Sequence, residues 1–493
     1  KKTITKETTL MNIISLLETL VNTLFEAEGK FFKNPKDFYS LEKAAKASTE
    51  AFAAGFLGEV LSSVNKHICD SSWRNNRYNI QRTDTRTIIS SVGDITFDCT
   101  YFKSKKDGKY RYLLEDMIGL TKNEKFTEEA EVMLLTEALK TSYNEATRVL
   151  PSKQRITKTT VMNKVHSLAD EIPYEAPKEV KTVDYLFIEA DEDHIAEQHG
   201  NANNSKDNKS FISKLIYIYE CKKELEGCSN RKELINSYYY SGLYPGKEGN
   251  DKLWKNVNEY IEKTYDTENL KRVFISGDGA TWIKSGVEHI DKAVFCADKF
   301  HLMKYINTAA AQMLDEKDTA KEELWHLLYS KKNAKARFKE YTDRMIQSAK
   351  NPEKVENLRK FVLGNWSAIR RTLRNKLVNG CSAESHVSHV LSDRLSSRPM
   401  GWSQIGADRM SKLRCYERNN GRESIINLVK YSREQRLLKA TGTDCVPIKE
   451  VSLREIRTEH YNQSRSYIDR IQVEMPGLTS RKTASIRNQL KII

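Results

Sequence analysis

The chain has 493 residues, 39% hydrophobic and 30% charged, and its 81 Lys and Arg outweigh 67 Asp and Glu to give a formal charge of +14. That length exceeds one core and predicts two to four domains of ordinary soluble composition. No apolar run reaches the roughly 18 to 20 residues of a membrane helix, and the basic balance favours a polyanionic partner, because Lys and Arg release condensed counterions from phosphate backbones, with a merely basic soluble protein as the alternative.

The start, KKTITKETTL running into MNIISLLETLVNTLFEA, carries no signal-peptide pattern, and it opens on Lys1 rather than Met, so the natural start is expected upstream. Eight cysteines (Cys69, Cys99, Cys221, Cys228, Cys296, Cys381, Cys415 and Cys445) form no C-x-x-C pair. That argues for unlinked, reduced thiols, a cytoplasmic location and no zinc ribbon. Residues 1–80 read as a helical arm, with Leu10, Ile13, Ile14, Leu17, Leu20, Val21 and Leu24 at helical spacing and a second helical run from Leu41 to Val64. In 81–125 the period changes to two: RTIISSVGDITFDCTYF alternates about a Val-Gly-Asp turn, which predicts a hairpin, with Tyr110 to Leu114 as a further strand.

Residues 126–180 return to helix. SYNEATRVL, a turn from Pro151 to Arg155, and ITKTTVMNKVHSLADEI have the layout of a helix-turn-helix or of plain packed helices. Thr157 is the expected N-cap, and Thr159, Thr160, Asn163 and Lys164 are the residues a major groove would meet. A charged linker with two prolines, PYEAPKEVK, follows.

Over 181–301 the expected order is a strand in VDYLFIEADEDHIAEQ, strands at Phe211 to Tyr219 and Leu234 to Tyr240, a helix at Asp251 to Tyr265, a strand at Val273 to Ser276, a helix, and a strand at Ala293 to Cys296. Three meander strands followed by strands alternating with helices predict a mixed sheet of ribonuclease H-like α/β type. Residues 302–380 read as an all-helical insertion, 381–440 as the last helices of that core, and 441–493 as a basic tail.

Three carboxylates come from separate places in this order: Asp191 at the end of the first strand, with Asp193 as the alternative; Asp278 in a Gly-Asp-Gly turn after a buried strand; and Glu384 in the first turn of a late helix capped by Ser382. Converging acids raise one another's pKa and call for a hard cation. Two Mg²⁺ ions, or Mn²⁺, about 4 Å apart would serve phosphodiester cleavage. Asp298 and His301 form D-x-x-H directly after a strand and read as a pair orienting the metal ligands or the phosphate, or as a polar strand end. Arg394 and Arg398, with Ser396 and Ser397, suit phosphate contacts; Trp282 and Trp402 could stack on an unpaired base or lie in the core. Cys381, His386 and His389 match no familiar zinc spacing.

The segments FIEADEDH, SGDGATWIKSG, DKFHLMKYI and GCSAESHVSHVLSDRLSSRPMGWS resemble the ISLre-two family of bacterial insertion-sequence transposases and, more distantly, Mutator-type transposases with a D-x-x-H signature. The resemblance implies a DDE transposase, with Asp191, Asp278 and Glu384 as metal-binding triad and Asp298 with His301 as the D-x-x-H pair. It further implies water-driven cleavage at element ends and attack of the freed 3′-hydroxyl on another phosphodiester. Double-stranded DNA (terminal inverted repeats and target) and further copies of the chain would be its partners, in the cytoplasm at the nucleoid. Many relatives carry a cysteine-rich stretch before the hairpin; here only Cys69, in HICDSSWRNN, stands near it. A nuclease or resolvase on the same fold, which cuts without joining, and a domesticated DNA-binding protein are the alternatives.

Overall fold

A computed structural model describes residues 4–120, 124–170, 174–198, 210–224, 232–378, 380–398 and 400–441. The tail expected over 441–493 lies outside the described residues except for residue 441. The described residues form two compact units, one drawn from Lys1–Glu137, Tyr143–Val161 and Val429–Ile493, the other from Ala138–Ser142 and Met162–Leu428.

In the first unit, α1 (Ile4–Lys33) and α2 (Phe38–Asp70) pack on one another, α2 starting where the Asp37 carboxylate accepts the Ser40 N–H at 3.1 Å. After α3 (Ser72–Arg77), β1 (Tyr78–Ser90) and β2 (Gly93–Ser104) form a long antiparallel hairpin, with β3 (Tyr110–Tyr112) on the outer edge of β2. Ser90 pairs with Gly93, so the turn is Ser91-Val92, beginning one residue before the expected Val-Gly-Asp, and Gly93 takes the φ of 120°. Helix α2 lies close on β2: a Cβ on Gly58 would come within 2.3 Å of the Thr96 carbonyl, and the Asn65 amide exchanges two hydrogen bonds with Thr100. Helix α4 (Leu113–Ile118) contributes Leu113 and Leu114 to the core of Ile88, Ile95, Phe97, Cys99 and Phe102.

Three helices follow: α5 (Glu128–Ala138), the single-turn α6 (Tyr143–Ala146) and α7 (Lys158–His166). Thr157 caps α7, its hydroxyl accepting the Thr160 N–H at 3.2 Å, and Val161, Val165 and Leu168 make the buried stripe.

The second unit holds a five-stranded mixed sheet. Its strands are β4 (Tyr185–Ala196), β5 (Ser210–Tyr219), β8 (Tyr238–Gly242), β9 (Arg272–Gly277) and β10 (Ala293–Ala297), in the order β10-β9-β4-β5-β8. Strands β4, β5 and β8 are antiparallel; β9 and β10 run parallel to β4. The strand expected over Leu234 to Tyr240 is broken at Asn236, whose φ of 51° turns the chain. Its first half, β7 (Lys232–Ile235), pairs with β6 (Cys221–Glu224) as a separate ribbon.

One face of the sheet (Leu186, Ile188, Ala190, Ile216, Ile218) is covered by α8 (Gly246–Thr264), which buries Leu253, Trp254, Val257 and Ile261. The short α9 (Thr281–Lys284) and α10 (Gly286–His289) connect β9 to β10. The same core extends into a helical block of α11 (Lys299–Ala310), α12 (Lys317–Tyr329), α13 (Ala334–Ser348), α14 (Pro352–Gly364) and α15 (Trp366–Arg374). The opposite face carries stacked aromatics, with Phe187 5.5 Å from both Tyr219 and Phe274.

Helix α16 (Ala383–Val387) continues through a π turn at Ser388–Ser392 into α17 (Asp393–Leu395). Helix α18 (Gln404–Asn420) covers the β8 edge, Asn419 bonding both backbone N–H and C=O of Tyr239 at 2.8 and 2.9 Å. Helix α19 (Ile425–Thr441) ends the described chain. No helix among the described residues is long and apolar enough to cross a membrane.

Candidate functional site: a row of carboxylates across three strands

Register brings the first acids together. Glu189 of β4 faces Ser276 of β9, and Gly277 of β9 faces Ala297 of β10, so one or two residues further on Asp191, Asp278 and Asp298 fall abreast on three neighbouring parallel strands. Adjacent strands lie about 4.8 Å apart, which sets the scale of the row. Asp191 is not at the end of its strand, as the sequence suggests. It sits mid-strand, where the pairing of β9 with β4 stops at Glu189 while β5 continues to Ala196. The close approach depends on Gly277, where a Cβ would lie 2.8 Å from the Ala190 carbonyl and from Ile283 Cδ1.

Each acid is oriented locally. Asp191 accepts the Glu192 N–H at 2.9 Å, and Asp278 accepts the Ala280 N–H at 2.8 Å in a turn where Gly279 takes a φ of 96°. Asp298 caps α11: it accepts the N–H of Phe300 at 2.9 Å and His301 Nδ1 at 2.7 Å. The D-x-x-H spacing thus bends the imidazole back onto its own cap. Burial pushes the Asp191 carboxyl up to about 6; the Glu192 N–H and the His301 charge oppose that, and the Asp278 and Asp298 charges reinforce it. His301 is raised in turn, first by its bond to Asp298 and, against burial, by the charges of Asp298, Asp191 and Asp278. Four side chains therefore share one electrostatic neighbourhood.

The three alternating acids of β4 have separate tasks. Asp193 is engaged by Ser396, whose hydroxyl lies 2.9 Å from both carboxylate oxygens. Glu189 is 1% exposed and accepts from Tyr217, Tyr219, Lys222 and Ser382. The two-residue spacing that puts Glu189 on the face of Asp191 is present in the sequence, but nothing there assigns it a role. Glu384 is exposed in the first turn of α16, and among the described residues it completes no three-acid metal group with Asp191 and Asp278. Among the described residues no group of three or more His, Cys, Asp or Glu encloses a single metal position. Asp191 and Asp278 are the pair whose chemistry fits a divalent ion: oxygen donors, mutually repelling, in number suited to Mg²⁺, which keeps much of its water.

One expectation needs correction, Arg394, and two open readings are decided, with Trp282 and Trp402 both buried. Trp282 is 7% exposed, its Nε1 donating to Glu192 at 2.8 Å and its ring packed near Trp254, so it is core and not a base platform. Trp402 is 5% exposed, its ring 4.7 Å from the Arg394 guanidinium. Arg394 is 1% exposed and spends its Nε on the Ala138 carbonyl at 2.9 Å, which removes it from phosphate contact. Arg398 is exposed. On α7, Thr159 and Asn163 are exposed, and Thr160 and Lys164 are half-buried. His386 packs its ring 4.4 Å from Tyr217 and bonds the Tyr239 hydroxyl at 3.1 Å, while His389 is exposed; they do not meet over Cys381.

These features define a mixed α/β protein with a row of acids across three parallel strands, in the middle of β4 and just past the ends of β9 and β10. The chain belongs to the uncharacterised protein family UPF0236, whose model matches residues 32–431. A UPF0236 protein of Caldanaerobacter subterraneus subsp. tengcongensis is 32% identical over 424 residues, 85% of this chain and 85% of that protein. A second from the same organism is 31% identical over 424 residues, with the same shares. Among solved structures, the Drosophila P element transposase strand transfer complex is matched over 66% of this chain and 94% of that one, at 13% identity and a TM-score of 0.21, too low to carry a fold argument.

Proposed function

We propose that the chain is a DDE-type insertion-sequence transposase, cleaving DNA at element ends and joining the freed 3′-hydroxyl to a second phosphodiester. The observation that carries this is the row of Asp191, Asp278 and Asp298, set abreast by strand register with His301 held against it. The sheet supports a ribonuclease H-like core: in chain order its strands lie fifth, fourth, first, second, third, antiparallel on one side and parallel on the other. The first relative adds support of another kind, since its single protein name covers eleven gene designations in one organism, the trace a self-copying element leaves.

Asp191 and Asp278 would hold Mg²⁺ or Mn²⁺, with Glu384 as third ligand. When bound, the ions would activate the attacking oxygen and stabilise the leaving one. Asp298 fixes the His301 ring through Nδ1, so that Nε2 could hold a proton against a phosphate oxygen. The exposed Thr159, Asn163 and Arg398 remain candidates for DNA contact, with Thr160 and Lys164 beside them on α7.

The test is cleavage of a labelled duplex bearing the source element's end, in Mg²⁺, Mn²⁺ or EDTA, by wild type and Asp278→Asn. Metal-dependent nicking at the boundary, lost in the variant, is expected. Nicking that survives Asp278→Asn would overturn the assignment. A pre-cut end then separates transposase from nuclease, since only the former joins it to target.

A further inference from the structure

We infer that Glu189 is a positioning residue for Glu384: a buried clamp that pins the start of α16 beside the acid row. This rests on the proposed metal-binding reading of Asp191, Asp278 and Glu384.

Glu189 lies two residues before Asp191 on the same face of β4, about 7 Å along the strand. Its carboxylate is fully engaged. Oε1 accepts from the Tyr219 hydroxyl and from Lys222 Nζ, each at 2.6 Å. Oε2 accepts from the Tyr217 hydroxyl, from the Ser382 N–H at 2.6 Å and from the Ser382 hydroxyl at 3.1 Å. Five donors on about four lone pairs leave no room for a metal, so Glu189 cannot be a fourth ligand of the row. What it holds is informative. Ser382 directly precedes α16, and Glu384 follows two residues later. Lys222 secures the same junction from the other side, donating to the Gly380 carbonyl at 2.9 Å, where the chain turns at a φ of 76°.

The clamp is an ion pair by geometry, Lys222 Nζ lying 2.6 Å from Glu189 Oε1, with 1% exposure on the Glu189 side and 11% on the Lys222 side. A buried pair of this kind is a poor source of stability and a good source of register. It joins β4, the β6 ribbon and α16 at one point, two residues from the metal-facing Asp191 and two from the exposed Glu384. Glu384 can reach the row only as far as this junction allows.

The full chain is titrated with Tb³⁺, whose luminescence Trp282 can sensitise because its indole bonds to Glu192, the neighbour of Asp191. Four proteins are compared: wild type, Glu384→Gln, the paired variant Glu189→Gln/Lys222→Met, which leaves neither buried charge alone, and all three substitutions together. Glu384→Gln should weaken Tb³⁺ about 10-fold, the paired variant about as much, and the triple variant no further, because a residue acting through Glu384 has nothing left to act on. A folded paired variant with wild-type affinity, or losses that multiply in the triple variant, would overturn the clamp while leaving the metal reading intact. Wild type that binds no Tb³⁺, or Glu384→Gln without effect, would overturn both. Should the paired variant fail to fold by circular dichroism, Ser382→Ala replaces it; its loss must likewise vanish in the Glu384→Gln background, and persistence there overturns the clamp.

Discussion

Replacing Asp191 by Asn should make the metal-free protein more stable. Burial lifts the Asp191 carboxyl from 3.8 to about 6, with the Asp278 and Asp298 charges adding to it. A rise of about two pH units corresponds to about 3 kcal/mol disfavouring the folded state once the group is ionised. The folded carboxyl binds its proton more tightly than the unfolded one, so stability falls as pH climbs from about 4 to about 6, and the whole penalty stands above that window. Asparagine removes the charge yet keeps an oxygen for the Glu192 N–H, now at 2.9 Å. Thermal unfolding in EDTA at pH 7.5 should show Asp191→Asn gaining about 1–3 kcal/mol, a rise of several degrees in Tm, and the gain should shrink at pH 4.5. A variant that melts at or below wild type, by the same margin at both pH values, would refute the reasoning, because the carboxylate would then be neither strained nor repelled.

Other outcomes follow from the same physics. His301, raised by Asp298, contributes stability that is fully present below its unfolded value of 6.5 and is lost as pH rises through its higher folded value, so His301→Gln should cost most at pH 6 and least at pH 9 in urea titrations. Gly277→Ala should cost about 1–3 kcal/mol by wedging β9 away from the Ala190 carbonyl, and faster hydrogen exchange at Gly277 and Asp298 would report it. In the first unit, Glu131 is fully buried against Arg433; Glu131→Ala should cost about 3–5 kcal/mol by chemical denaturation, since it strands a buried guanidinium.

Local patterns carried the fold a long way. Period-two alternation foresaw the β1–β2 hairpin, and the short apolar runs before Asp278 and Asp298 foresaw β9 and β10, because each element buries its own face. Long-range pairing was less legible. Nothing in FIEADEDHI says that β9 leaves β4 at Glu189, and that departure is what opens the face around Asp191. The break at Asn236 was missed because YYY-rich sequence reads as one strand, while a single left-handed residue divides it. Arg394, Trp282 and Trp402 were read by residue type; their burial comes from partners far along the chain, Ala138 and Glu192 among them. Glu189 shows the same limit: its clustering with other acids was visible, but Tyr217, Lys222 and Ser382, which decide what it does, were not assigned to it.

The register of β4 has an evolutionary corollary. Side chains on a strand alternate, so a one-residue slip exchanges the two faces of β4 completely. Deleting any single residue between Tyr185 and Glu189 would send Glu189, Asp191 and Asp193 into the apolar side now occupied by Leu186, Ile188 and Ala190. Clamp, row and Ser396 contact would disappear in one event. Substitutions can be absorbed here one at a time, but length cannot change, and this strand is where the lineage should tolerate no insertion or deletion.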